Sequence, residues 1–409
     1  MKEPTCYEYP NGLKLVHLES QGEVGHLGFF FRAGSRFENA RKVGLAHFLE
    51  HCVFKGTTKR NAIQTISRID EVGGELNAYT AKEELCLHAS FPKVYTSRAI
   101  ELLSDIAINP IFPDNELEKE KEIILDEINS YLDSPYEKIF DDFEEEFFKG
   151  HALGNNILGK KEDLSRFTRA DLEAFVRSYF TKDNLVVSFV GDVSFGKVKK
   201  WIDQFIQEMP DKSRRVPINE FKGYKVFQSA RKEANYQAHA IIGGMAPSYK
   251  ENDRIPMSLL MNMLGGPALN SSLNILLREK HVLAYGVEAN YVPYMDVGFW
   301  QIYVGSESRN LKKSISIIKK ELMRMQTKPI SQLRLKKAKQ QLKGQMALSM
   351  DVNSTLMHSF GKSLLTFGQI DNIHEMHKSI DAITAGQLCD LAKEYMSKDQ
   401  LSVLIFDVK

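Results

Sequence analysis

Residues 168–189 read TRADLEAFVRSYFTKDNLVVSF, and residues 384–405 read TAGQLCDLAKEYMSKDQLSVLI. At one fixed register Thr168/Thr384, Leu172/Leu388, Tyr179/Tyr395, Lys182/Lys398, Asp183/Asp399, Leu185/Leu401 and Val187/Val403 are identical. Each copy carries apolar residues at helical spacing and then a short apolar run, so the unit is a helix followed by a strand. A second pair of segments, 26–39 and 239–252, repeats an apolar strand, a turn and a Glu-Asn dipeptide (Glu38-Asn39 and Glu251-Asn252). One plan written twice implies internal duplication.

Outward from the first copy, strand-like runs fall at 12–18 and 26–31, and a helix over 62–72 ends at Gly73-Gly74. Further strands fall at 75–80 and 85–91, with helices from 93 to 148. This mixture predicts an α+β fold, not a regular βαβ alternation. The expectation is two similar α/β-sandwich domains, each a mostly antiparallel sheet with helices packed on it, at 1–209 and 222–409. Between them, 210–221 is rich in Pro, Lys, Arg and Asp and reads as a linker.

With 409 residues the chain exceeds one ordinary core, which agrees with two domains. Apolar residues make up 43% and charged residues 26%, the balance of a globular protein. A net charge of +1 gives no reason to expect nucleic acid or a membrane as partner. Cys6, Cys52, Cys86 and Cys389 lack the spacing of a zinc cluster or a disulfide framework, and the chain start has no apolar stretch behind it. Neither a secretory signal nor a transmembrane helix is expected, so the cytoplasm is the expected compartment.

The two copies differ in chemistry. The first carries His47-Phe48-Leu49-Glu50-His51; the matching helix around 257–264 reads MSLLMNML and has no ligand. On a helix, His47 and His51 lie about 40° apart around the axis and one turn apart, so both rings can reach one metal ion. Glu50 lies about 60° to the other side of His47, better placed to hold a water than to ligate. The flanking Leu45, Ala46, Phe48, Leu49, Val53 and Phe54 make the helix mostly apolar, hence buried. A second pair, His374 and His377, has no companion acid and reads as surface. His88 reads as structural and Cys52 as a packed thiol.

A catalytic zinc takes three protein ligands. The acidic helix over 115–132, NELEKEKEIILDEINSYL, is the best candidate source of the third. Ile123, Ile124, Leu125 and Ile128 mark its expected buried side, which Glu127 borders. Glu120, two turns earlier, lies only about 20° away, and both acids can face the same interior site.

HFLEH, with Glu127 downstream in Ile123-Ile124-Leu125-Asp126-Glu127-Ile128, resembles the pitrilysin or insulinase family of zinc metallopeptidases. The similarity is greatest to its short two-domain branch and runs over essentially the whole chain. The resemblance implies a clamshell of two domains and one Zn2+ per chain on His47, His51 and Glu127. It also implies Glu50 as catalytic base and Glu120 as a supporting acid. Gly73-Gly74-Glu75-Leu76-Asn77-Ala78-Tyr79-Thr80 resembles the strand that receives substrate backbone, which points to Asn77 and Ala78. Arg278 and Tyr285, in Leu277-Arg278-Glu279-Lys280 through Leu283-Ala284-Tyr285, resemble the Arg…Tyr pair that the second domain brings to the active site. Gly265-Gly266-Pro267 lacks the family's longer glycine run and is given no role. The expected function is a zinc endopeptidase acting on extended oligopeptides or unfolded segments. A single chain has half the domains of the family's larger members, so a homodimer is expected. The alternative is a non-catalytic partner subunit on the same fold.

Overall fold

The computed structural model describes residues 3–212 and 218–409; part of the expected linker, 213–217, lies outside the described residues. The chain forms two compact units. They are not the contiguous halves 1–209 and 222–409: residues 130–154 pack in the second unit and 348–370 in the first.

The first unit is built on strands β1 (Thr5–Glu8), β2 (Lys14–Glu19), β3 (Val24–Phe31), β4 (Glu75–Thr80), β5 (Leu85–Pro92) and β6 (Leu185–Gly191), in the order β1-β2-β6-β3-β5-β4. The second holds β7 (Gln228–Glu233), β8 (Ala238–Ala246), β9 (Ala284–Pro293), β10 (Gly298–Ser306) and β11 (Ser402–Val408), in the order β7-β11-β8-β10-β9. Leaving out the edge strand β1, the orders superimpose strand for strand. Even the parallel pairs correspond: β2 runs parallel to β6, and β7 to β11, while all other pairs are antiparallel. The repeated threonines have one job. Thr168 and Thr384 are the N-cap residues of helices Arg169–Tyr179 and Ala385–Tyr395, which lead into β6 and β11.

Strand β3 explains why its sequence is continuously apolar. Leu27, Phe29 and Phe31 enter one core with the helices that follow, and Phe30 enters a second core on the opposite face. That opposite face is covered by helix Asn353–Phe367, through Leu356, Met357, Phe360 and Leu364. In the second unit the equivalent cover is helix Pro135–Phe147, through Ile139, Phe143 and Phe147 against Ile241, Phe299 and Phe406. A glycine marks each close approach. A Cβ on Gly28 of β3 would stand 2.5 Å from the Met357 sulfur, and one on Gly243 of β8 would stand 2.6 Å from the Phe143 ring. Each half of the sequence thus lends one helix to the other half's sheet.

Candidate metal centre

The motif helix is Leu45–Cys52, with Leu45, Ala46, His47, Phe48, Leu49 and Cys52 buried. Its N-cap position is Gly44, at a φ of 96° and so close to Gly159 that a Cβ would lie 2.6 Å from that residue's Cα. A glycine has no side chain to cap with. Glu38 supplies the missing acceptor, taking the Gly44 N–H at 2.9 Å and the Ala46 N–H at 2.7 Å.

The His47 and His51 rings lie with centroids 4.7 Å apart. Glu127 comes from helix Asp114–Leu132. Its Oε2 lies 3.6 Å from His47 Nε2 and 3.5 Å from His51 Nε2. That buried oxygen has no hydrogen-bond partner among the described residues. The three side chains offer ligand atoms all within 4.8 Å of one another, the one such group among the described residues. A tetrahedral zinc with bonds of about 2.0–2.1 Å has donor–donor edges of about 3.4 Å. The residues therefore fit the metal, and a cation between them would satisfy the orphaned carboxylate oxygen. Burial, with the neighbouring His51 second, pushes His47 down to about 4, so its ring is neutral at physiological pH and able to ligate.

The buried side of the acidic helix is Leu117, Glu120, Ile124 and Ile128. This corrects one expectation: Ile123 and Leu125 are exposed, because the helix turns a single narrow stripe to the core. Glu120 lies on that stripe. His51 Nδ1 donates to Glu120 Oε2 at 3.1 Å, which leaves His51 Nε2 facing Glu127. Lys55, which drew no notice in the sequence, pairs with the other Glu120 oxygen at 2.5 Å.

Glu50 is half-buried beside the group. Burial lifts its carboxyl above the usual carboxylate range, opposed by hydrogen bonding with Thr80 and by the charge of His51. Thr80, also missed in the sequence, ends β4, and its hydroxyl donates to the Ala46 carbonyl at 3.4 Å. The motif helix thus sits against β4, an edge strand with one side unpaired among the described residues. Asn77 is exposed and Ala78 half-buried on it. Arg278 and Tyr285 belong to the second unit, on the π-helical turn Asn274–Lys280 and near the start of β9. Tyr285 is 63% exposed, and its hydroxyl donates to Glu307 at 3.4 Å.

Residues 15–161 match the model of the insulinase family, peptidase family M16, and residues 166–342 match that of the M16 inactive domain. An uncharacterised zinc protease of Bacillus subtilis is 30% identical over 99% of this chain and 98% of its own length. This chain belongs to the M16 peptidase family. The beta subunit of the mitochondrial-processing peptidase from Blastocladiella emersonii is 30% identical over 97% of this M16 chain and 86% of its own. A protease from Helicobacter pylori shares the fold with a TM-score of 0.91 at 20% identity, each chain covered completely. The M16 assignment places the motif helix in the insulinase-type domain and the ligand-free copy in the inactive one.

Proposed function

We propose that this chain is a zinc endopeptidase that cleaves extended oligopeptides or unfolded segments. The observation that carries the reading is the convergence of His47, His51 and Glu127 on one point, with the Glu127 oxygen unpaired there. These three, all in the first compact unit, would hold one zinc per chain. When bound, the ion supplies Lewis acidity to a water and to the scissile carbonyl. Glu50 takes the proton of the attacking water and delivers it to the leaving amine. The open side of β4 at Asn77 and Ala78 receives the substrate backbone by strand addition, which suits an unfolded chain and excludes a folded one. Arg278 and Tyr285 stabilise the oxyanion, a role that rests on the family resemblance.

The chain acts as a homodimer in the cytoplasm. All four cysteines are free, as suits a reducing compartment, and no helix among the described residues is long and apolar enough to cross a membrane. The reading of a non-catalytic partner subunit is disfavoured because the three ligating side chains and Glu50 are all retained. One experiment tests the proposal. The purified protein is assayed on a mixed library of extended peptides before and after chelation, with products read by mass spectrometry. Cleavage that chelation abolishes and zinc restores is expected; an intact library, or cleavage indifferent to chelation, overturns it.

A further inference from the structure

We infer that Lys55 is a positioning residue of the metal centre, acting on His51 through Glu120. The inference rests on the zinc reading above and adds a residue to it.

Three groups form a line. Lys55 Nζ lies 2.5 Å from Glu120 Oε1, Glu120 Oε2 lies 3.1 Å from His51 Nδ1, and His51 Nε2 lies 3.5 Å from Glu127. The Glu120 side chain is only 5% exposed, and that of Lys55 22%. A carboxylate so deeply buried needs its charge answered and its oxygens bonded. Lys55 does both on one side, which leaves the second oxygen aimed at His51. Without the ammonium, Oε1 becomes a buried anionic acceptor with no partner, and the carboxylate turns toward water and away from the ring.

The geometry of the two histidines raises the importance of this line. The Nδ1 of His47 is buried with no hydrogen-bond partner among the described residues, so His51 is the imidazole of the pair whose ring is held from behind by a charged group. The preorganisation of the site therefore passes through Glu120, and Glu120 is oriented by Lys55. Lys55 can take this place because the chain turns immediately after the motif helix. Val53 closes that helix on Leu49, and the Lys55 N–H donates to the Cys52 carbonyl at 3.1 Å, which brings the lysine back to the face that meets the acidic helix.

The test is the zinc dissociation constant, measured on the full chain by competition with a chromophoric chelator. The variants are Lys55→Met, Lys55→Arg, Glu120→Gln and the Lys55→Met/Glu120→Gln pair. Removing an outer partner of a metal-ligating histidine weakens binding about 10–100-fold. Lys55→Met is expected to show that loss, and Lys55→Arg, which keeps a cationic donor, to bind within a few-fold of the unaltered chain. Adding Lys55→Met to Glu120→Gln is expected to change nothing further, because the line is already broken. Thermal unfolding of the metal-free variants reports any general damage separately. Unaltered affinity in Lys55→Met, equal losses in the Met and Arg variants, or losses that multiply in the double variant overturn the inference. If the unaltered chain binds no zinc, the proposed function fails with it; if it binds and Lys55→Met binds equally, only the role of Lys55 falls.

Discussion

Glu38 accepts the backbone N–H of Ala46 at 2.7 Å, one residue before the first histidine of the candidate metal centre. The acid lies in the loop after β3, so the sheet and the motif helix are tied at the point where the helix begins. Replacing a capping oxygen costs about 0.5–2 kcal/mol. Glu38→Ala is therefore expected to lower stability by about 1–2 kcal/mol in urea melts. It is also expected to weaken zinc binding, because the helix start that orients His47 loosens. A variant as stable as the unaltered chain would show that Gly44 and the packing of Leu45 and Ala46 suffice.

A second cluster gives a pH dependence. His88 of β5 meets His358 of the cover helix Asn353–Phe367 with ring centroids 4.6 Å apart, beside Tyr79 of β4. His26 of β3, Glu84, and Lys362 of the same helix complete the charged surroundings. Burial, then the charge of His358, pushes His88 down to about 4 from its ordinary 6.5, and burial also lowers His358. Above 6.5 both folded and unfolded chains hold His88 neutral, and it adds no pH dependence. Between 6.5 and about 4 the unfolded chain binds a proton that the folded chain refuses, so stability falls as pH falls. Melting temperatures from pH 7 to 4.5 should fall less steeply in His88→Gln than in the unaltered chain. Equal slopes would remove this account.

The segment carrying Arg278 and Tyr285 is locally strained. Between them Val282 holds a φ of 50° while 79% exposed, a conformation that a β-branched residue adopts only under constraint. Losing one oxyanion donor costs on the order of 10²-fold in turnover. Arg278→Ala and Tyr285→Phe are each expected to lower kcat/KM for a peptide substrate by about that factor, with zinc content unchanged. Kinetics unaltered in both variants would contradict their assignment to the reaction.

The parts of the fold legible in the sequence are those that local chemistry dictates. The expected strand over 75–80 begins where the structure begins it, just after Gly73-Gly74, and the acidic helix ends where expected, at Leu132. The duplication was legible in the identities at one register, Thr168 and Thr384 among them, and the matching strand order came only with the structure. The exchange of helices Pro135–Phe147 and Asn353–Phe367 was not legible: an apolar stripe says that a helix is buried, not which sheet buries it. The same reason hid the orientation of the acidic helix, where Ile123 and Leu125 mimic a wider core face than Ile124 and Ile128 provide. Lys55 and Thr80 carried no signal, since a lysine in a turn and a threonine ending a strand have ordinary uses. For Glu38 a faint signal existed, in the repeated Glu-Asn dipeptide.

The central claim is that Glu50 moves the proton while His47, His51 and Glu127 hold the metal. Its most direct test is the Glu50→Gln variant, with zinc content and cleavage of a quenched fluorescent peptide measured on the same preparation. About one zinc per chain should remain, and turnover should fall by about 10²–10⁴-fold, the contribution of a positioned base. Cleavage at the unaltered rate, or loss of the zinc together with the activity, would contradict the account.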